Sequence, residues 1–182
     1  MNDSWYRRLF NASPKPDVEA DVVVAPDDGD REVQFGLGLK YANSPAGAQD
    51  YAQAAGWYLK AADQSHPLAQ FNLGMMYANG QGVSRNDATA VMWIRKAADQ
   101  GDAAAQFNLG VRCHRTSMES LEAPESRIEA YKWLHLAAAQ GYHGSASACE
   151  RVTLGMTRED VTDGNQRVAA FVVEQARRHL AT

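Results

Sequence analysis

The chain has 182 residues, which is enough for one sizeable domain. Hydrophobic residues make up 45% and charged residues 22%, which are ordinary proportions for a soluble protein. The formal net charge of −4 predicts no general attraction to nucleic acid or to an anionic membrane. Residues 1–16 lack the uninterrupted apolar core of a secretory signal, and no apolar run approaches the roughly 18 residues of a membrane span. A cytoplasmic location is therefore the default expectation.

Residues 1–29 are predicted to form an arm outside the pattern that follows. Its start, from Trp5 to Phe10, is compatible with a short amphipathic turn that covers an end repeat. The prolines and aspartates of residues 11–30 favour a flexible acidic linker. The valine run 22–24 leaves a docked extended strand as an alternative.

Three copies of one pattern fill the middle of the chain. Gln-Phe pairs begin at Gln34, Gln70 and Gln106, at intervals of 36 residues, and Leu-Gly pairs follow at the same offset. The block that starts at Trp57 recurs at Trp93. A period of this length indicates stacked supersecondary units. We predict repeats at residues 30–65, 66–101 and 102–141.

Each copy is predicted to be two helices, because its apolar residues recur at helical spacing. Good N-cap residues precede the predicted second helices at Asp50, Asn86 and Ser126, and first helices should begin near Asp30, His66 and Asp102. Glycine within a helix costs roughly 0.5–1 kcal/mol relative to alanine. The glycines of the first helices are Gly38, Gly74 and Gly110. Their recurrence predicts a close helix crossing with no room for a Cβ atom.

The third copy is longer, with four extra residues between Cys113 and Ala130. The linker from His114 to Glu125 is either a docking loop or neutral drift, since loops tolerate insertions. Residues 143–182 are predicted to hold a partial fourth repeat and a C-terminal capping helix. The predicted buried stripe of that helix is Val161, Val168, Val172 and Ala176, with a bend at Gly164.

The pattern AQFNLGMMY, followed by NGQGV and KAADQGD, resembles the Sel-one-like repeat (SLR), a helical-hairpin unit close to the tetratricopeptide repeat. The resemblance covers about Asp30 to Tyr142. It implies an all-α fold, a short right-handed α-solenoid of antiparallel helix pairs. The first copy departs in its linker, Ser44 to Gly47, and the third in its insertion. The resemblance also implies an adaptor or scaffold, and a cysteine-rich branch of the family binds β-lactams.

The sequence offers no catalytic motif, since no nucleophile elbow, HExxH pattern or phosphate loop occurs. We therefore predict no enzyme, no cofactor and no metal site. Cys113 and Cys149 have no metal or redox spacing and are interpreted as packing residues. A disulfide between them would need facing positions on adjacent first helices. The β-lactam-binding branch depends on regular cysteine pairs, which this sequence lacks.

The predicted partner-binding surface is the concave groove lined by the first helices. The candidate residues are Phe35, Phe71, Phe107, Met75, Asn43, Asn79, His114 and Arg115. The two asparagines could hydrogen-bond to the backbone of an extended peptide, Met75 would adapt to varied partners, and Arg115 would favour an acidic group. Alternatively, the phenylalanines are half-buried between repeats and the asparagines merely end helices.

The sequence thus predicts a non-enzymatic module that binds a protein or peptide segment in its groove. A β-lactam-binding or hydrolysing enzyme is an alternative that the missing cysteine pairs argue against. A self-associating scaffold is another alternative. In a further one, the acidic arm, residues 11–30, lies in the groove near Arg112 or Arg115.

Overall fold

The structure is a computed structural model that describes residues 29–44, 50–119 and 124–180. The described residues form helices and no strand. In chain order the helices are α1 (Arg31–Ala42), α2 (Tyr51–Asp63), α3 (Pro67–Asn79), α4 (Asp87–Asp99), α5 (Ala103–Glu119), α6 (Pro124–Ala139), α7 (Ser145–Thr153) and α8 (Arg158–Leu180). The predictions for the N-terminal arm concern residues that lie almost wholly outside the described part of the chain.

The helices pair as α1–α2, α3–α4 and α5–α6, and each second helix also packs against the first helix of the next pair. The chain is thus a helical repeat solenoid, and the predicted all-α fold is confirmed. Helix α7 packs mainly on α6, and α8 also packs against α6. The core runs through the middle of the stack and contains Ile94, Leu109 and Trp133.

The predicted helix starts are observed for the first helices, since α1, α3 and α5 begin directly after Asp30, His66 and Asp102. The Asp102 carboxylate accepts a hydrogen bond from the backbone N–H of Ala105 at 2.7 Å. Such caps satisfy N–H groups that have no partner within the helix. One predicted start is wrong: α6 begins at Pro124 instead of after Ser126, because proline is well suited to a first helical position.

The recurrent glycines lie where first and second helices cross, as predicted. A Cβ atom added at Gly74 would lie 2.7 Å from Cγ1 of Ile94 and 3.1 Å from the carbonyl oxygen of Ala90. At Gly110 it would lie 2.7 Å from Cγ of Leu134. Only glycine lets the two backbones approach this closely, so its helix-propensity cost is offset by tight packing.

Buried glutamines join consecutive repeats. The Gln70 side chain accepts a hydrogen bond from the Gln100 amide at 2.7 Å and donates one to the Ala62 carbonyl of the preceding repeat at 3.0 Å. Gln106 repeats this arrangement one unit later, with Gln140 at 2.9 Å and the Ala98 carbonyl at 3.2 Å. The glutamines of the second and third Gln-Phe pairs therefore also provide polar contacts between consecutive repeats.

The extra residues of the third copy lengthen a helix. Helix α5 has 17 residues, whereas α3 has 13 and ends four positions earlier in the repeat. The interpretation of residues 114–125 as a loop is therefore wrong for 114–119, which continue α5. Residues 120–123 lie outside the described part of the chain.

Helix α8 is continuous through Gly164, where an added Cβ atom would lie 2.5 Å from Cδ1 of Tyr131, so the glycine lets the helix approach this ring. The predicted stripe is wrong at Val172, which is 53% exposed, and at Ala176, which is also exposed. The buried side instead includes Phe171, whose ring meets that of Trp133 edge-on at 5.5 Å.

Arg167 links α8 to the start of α6 through hydrogen bonds and ion pairs. The Arg167 guanidinium donates to Glu125 at 2.5 and 3.0 Å, to Glu129 at 3.2 Å and to Asp163 at 2.9 Å. These hydrogen bonds lower the pKa of the Glu125 carboxyl, since they favour its ionised form. Further along α8, the Gln175 amide donates to the carbonyl of Asp99 at the end of α4.

We predict that Gly74→Ala lowers the free energy of unfolding by about 1–3 kcal/mol, because backbone atoms of α4 must move to admit the methyl group. The matched control is Gly36→Ala, where an added Cβ meets nothing within 4 Å. That change should raise stability by roughly 0.5–1 kcal/mol through helix propensity alone. Urea denaturation of both variants measures the difference, and equal effects would contradict the close crossing.

We predict that Arg167→Gln lowers stability at pH 7 by about 1 kcal/mol, a modest value because the Glu125 side chain is largely exposed. The folded-state pKa of Glu125 is depressed, so its contribution is present above its ordinary pKa and is lost as the pH falls through the folded value. The gap between wild type and variant should therefore close in acid.

Urea denaturation at pH 7 and in acid tests this prediction. The variant is compared with the wild type at each pH, because other groups also change stability with pH. Burial raises the pKa of Asp102, for example, so the stabilising contribution of that residue is lost as the pH rises, in both proteins. The control is Arg178→Gln, which removes an exposed pair with Glu174 at 3.2 Å. Its effect should stay within about 0.5 kcal/mol, and an equal effect of the two variants would argue against the Arg167 network.

Candidate protein-binding surface

The first helices share one stripe on the side turned away from the second helices, which we call the first-helix face; it contains both exposed and buried residues. Successive helical residues are rotated by about 100°, so residues at i, i+4, i+7 and i+11 fall on one side, away from the glycines that meet the second helices. The face comprises Glu32, Gly36, Leu39 and Asn43 in α1, Leu68, Asn72, Met75 and Asn79 in α3, and Ala104, Asn108, Val111 and Arg115 in α5.

Exposed apolar side chains lie on this face in two helices. Leu68 is 44% exposed at the start of α3, and Val111 is 42% exposed in α5. Asn72 and Asn108 lie next to them on the same side and are half-buried. An amide can donate and accept hydrogen bonds, so the face pairs apolar contact with backbone recognition.

The predicted phenylalanine column does not belong to the face. Phe71 is 3% exposed, Phe35 stacks on His66 at 4.4 Å, and the Phe107 ring lies 5.2 Å from that of Tyr142. Around the axis of each first helix, the phenylalanine is only about 60° from the glycine that contacts the second helix. Its ring therefore points into the interface between repeats. Phe71 is buried and offers a partner almost no surface, whereas Phe35 and Phe107 are half-buried and pack against neighbouring rings. The three phenylalanines are therefore left out of the proposed contact set.

Met75 is on the stripe but is only 7% exposed. The amide of Asn108 contacts its sulfur at 3.5 Å, so the following repeat covers it. Met75 was predicted to adapt to varied partners, but like Phe71 it is buried and offers a partner almost no surface. Its role in this arrangement is to pack adjacent first helices together.

Asn43 and Asn79 are exposed at the ends of α1 and α3. The backbone N–H of Asn43 bonds to the Leu39 carbonyl at 2.9 Å, which ends the helix, and its side chain faces solvent. The Asn79 amide lies 3.5 Å from the Gln81 side chain. Both residues thus end helices and also border the face.

Asn108 holds a cation on the face. Its side-chain oxygen accepts a hydrogen bond from Nε of Arg112 at 2.9 Å. Burial lowers the pKa of Arg112, and the neighbouring charges of Arg115 and Arg85 lower it further, while Asp87 opposes them. Arg112 and Arg115 make one end of the face positive. Of these two, Arg115 belongs to the predicted contact set, and Arg112 is named only in the alternative in which the acidic arm lies in the groove. The sequence does contain a signal for Asn108, because asparagine follows the Gln-Phe pair in two of the three copies.

His114 is separated from Arg115 by the turn of the helix. Arg115 is exposed on the first-helix face, whereas His114 lines a pocket at the edge of the stack. The pocket has a volume of about 320 Å³ and is lined by His114, Ser117, Met118, Arg127, Arg151, Val152 and Gly155. The two neighbours predicted as one site therefore belong to different surfaces.

The described residues show no arrangement for metal binding, since no three His, Cys, Asp or Glu side chains cluster there. Cys113 and Cys149 are free and half-buried, and burial raises the pKa of both thiols. Both therefore carry their proton near neutral pH and serve as packing residues in the described structure. Within the described ranges, no helix is long and apolar enough to span a membrane.

A sequence profile described as the Sel1 repeat matches residues 31–66, 67–102 and 103–142, more than half of the chain. The chain belongs to the Sel1 repeat family. Its three units lie within one residue of the boundaries predicted from the pattern. Sel1 repeats are generally protein-interaction modules and typically non-catalytic. A search of curated proteins gives no match.

Solved structures that are similar to this chain include the following two. One is c5321, a protective antigen of uropathogenic Escherichia coli strains that displays an SLR fold, with 26% identity and a TM-score of 0.69. The other is a Sel1 repeat protein from Oxalobacter formigenes, with 29% identity and a TM-score of 0.59. The alignments cover 84% and 79% of this chain but only 32% and 61% of those proteins.

Proposed function

We propose that this chain is a non-enzymatic interaction module that holds an extended segment of a partner protein on its first-helix face. The observation that carries the proposal is the alternation of exposed apolar residues with amides on that face. Leu68 and Val111 offer apolar contact, and Asn72 and Asn108 offer hydrogen bonds to a backbone of any sequence. Asn43, Asn79 and Arg115 border the face and stay in the proposed contact set.

The cytoplasmic location is also part of this proposal and rests on the sequence expectation alone. No observation favours β-lactam binding, since the two cysteines lie on different helices, are free and are half-buried. The alternative in which the acidic arm fills the groove concerns residues that lie almost wholly outside the described part of the chain. Self-association is measurable by light scattering over a concentration series.

We predict that Leu68→Glu/Val111→Glu weakens peptide binding at least about tenfold. Burying a leucine or valine on a partner contributes about 1.5–3 kcal/mol, and a glutamate at that place would have to be desolvated. Peptides selected from a random display library on the wild-type chain are the probes. Their dissociation constants are measured by fluorescence polarisation.

The matched control is Leu59→Glu/Met92→Glu on the second helices. Leu59 is 39% exposed and Met92 is 44% exposed, so the chemistry and accessibility are similar and only the face differs. The control should bind the selected peptides as the wild type does. Equal losses in both double variants, or no loss in the first, would contradict binding at the first-helix face.

A further inference from the structure

The pocket at the edge of the stack exists because α5 is longer than its counterparts. Ser117 and Met118 lie beyond the position where α3 ends, in the added turn of α5. They form one wall, Arg127 from α6 forms another, and Arg151, Val152 and Gly155 from the end of α7 complete it. The pocket is thus a departure from the repeat pattern and not one of its regular features.

The described lining residues of the pocket include two arginines and no carboxylate. Arg127 is fixed in place, since its Nη1 donates to the Gly155 carbonyl at 2.6 Å. Arg151 is exposed and has no ion-pair partner among the described residues. The Asp160 carboxylate accepts a hydrogen bond from the Thr157 backbone N–H at 2.9 Å. Hydrogen bonding by Thr157, and to a smaller extent the charge of Arg127, lowers the pKa of this carboxyl. The unpaired guanidinium of Arg151, together with the anchored guanidinium of Arg127, favours an anionic ligand, which each can hold by charge-assisted hydrogen bonds.

Apolar side chains border the same pocket. Met118 is 76% exposed and Leu154, next to Gly155 in the chain, is 89% exposed. Val152 lies buried at the base. Nδ1 of His114 is buried beside the pocket and has no hydrogen-bond partner in the described structure. These features match a polypeptide that combines one acidic side chain with aliphatic neighbours.

We propose that this pocket is a second protein-contact site, which binds a glutamate or aspartate of a partner polypeptide between Arg127 and Arg151 while aliphatic neighbours cover Met118 and Leu154. The volume of about 320 Å³ is small for a ligand site and suits one side chain with part of its backbone. A nucleic acid is a poorer match, because the lining residues that the structure describes include no Phe, Tyr or Trp for base stacking and the whole chain carries a net charge of −4. The site does not depend on the first-helix face, since His114 and Arg115 point to different surfaces.

The test uses the full chain and three capped peptides, Gly-Leu-Glu-Leu-Gly and its glutamine and lysine counterparts. Binding is followed by chemical-shift changes of the backbone amides. The acidic peptide should shift amides in the last turn of α5 and at the end of α7. The glutamine peptide should bind about tenfold more weakly, since it loses the charge-assisted hydrogen bonds.

Variants locate the charge and the apolar contact. Arg151→Met should weaken the acidic peptide about tenfold, and Met118→Gln should weaken it about threefold through lost apolar contact. Both positions are solvent-facing, so the thermal unfolding of each variant should match that of the wild type. The control is Arg158→Met, an exposed arginine outside the pocket lining, which should leave binding unchanged.

Several results would overturn the proposal. They are equal affinity for the acidic and glutamine peptides, shifts confined to other helices, and no binding up to about 10 mM peptide, well above the ~1 mM of a weak complex. Tighter binding of a single-stranded oligonucleotide to the same amides would reassign the site to nucleic acid. The Leu68→Glu/Val111→Glu variant should keep its affinity for the acidic peptide, so failure of the first-helix face and failure of the pocket are distinguishable.

Discussion

The buried glutamines between repeats are the interaction on which the stack depends. The Gln70 amide is bonded at both ends, to a helix of its own repeat and to a helix of the preceding one. A buried amide left without partners costs about 1–3 kcal/mol, so sliding one repeat past the next would be strongly unfavourable. This fixed register keeps the first helices side by side. The exposed residues of three hairpins can therefore act as one face.

Much of this architecture could be predicted from the sequence, because it follows from local spacing. The period of 36 residues revealed the hairpins, and the recurrence of a costly residue at Gly38, Gly74 and Gly110 revealed the crossing. Both signals depend only on how residues repeat along the chain. The added turn of α5 was missed for the opposite reason. Residues 116–119 have no counterpart in the first helices of the other copies, so the repeat carried no information about them.

The candidate site was predictable only in part, because burial at a repeat joint depends on the neighbouring repeat. Phe71 and Met75 lie on the apolar side of α3 in sequence, yet the following hairpin covers both. Small differences in angle also matter: His114 and Arg115 are neighbours in sequence but are rotated by about 100° from each other and reach separate surfaces. Periodicity places residues around a helix, whereas their exposure is decided by contacts between helices.

Helix α8 divides the stack into parts of unequal stability. Arg167 bonds α8 to α6, and Gln175 bonds α8 to the end of α4. Helices α4, α6 and α8 are therefore held together by side-chain hydrogen bonds. Helices α1 and α2 join the stack through the contact between α2 and α3. Local opening takes the least free energy where few buried contacts must break, so amide protons of α1 should exchange with solvent sooner than those of α6. A partner lying along all three first helices would therefore slow exchange most at the N-terminal end.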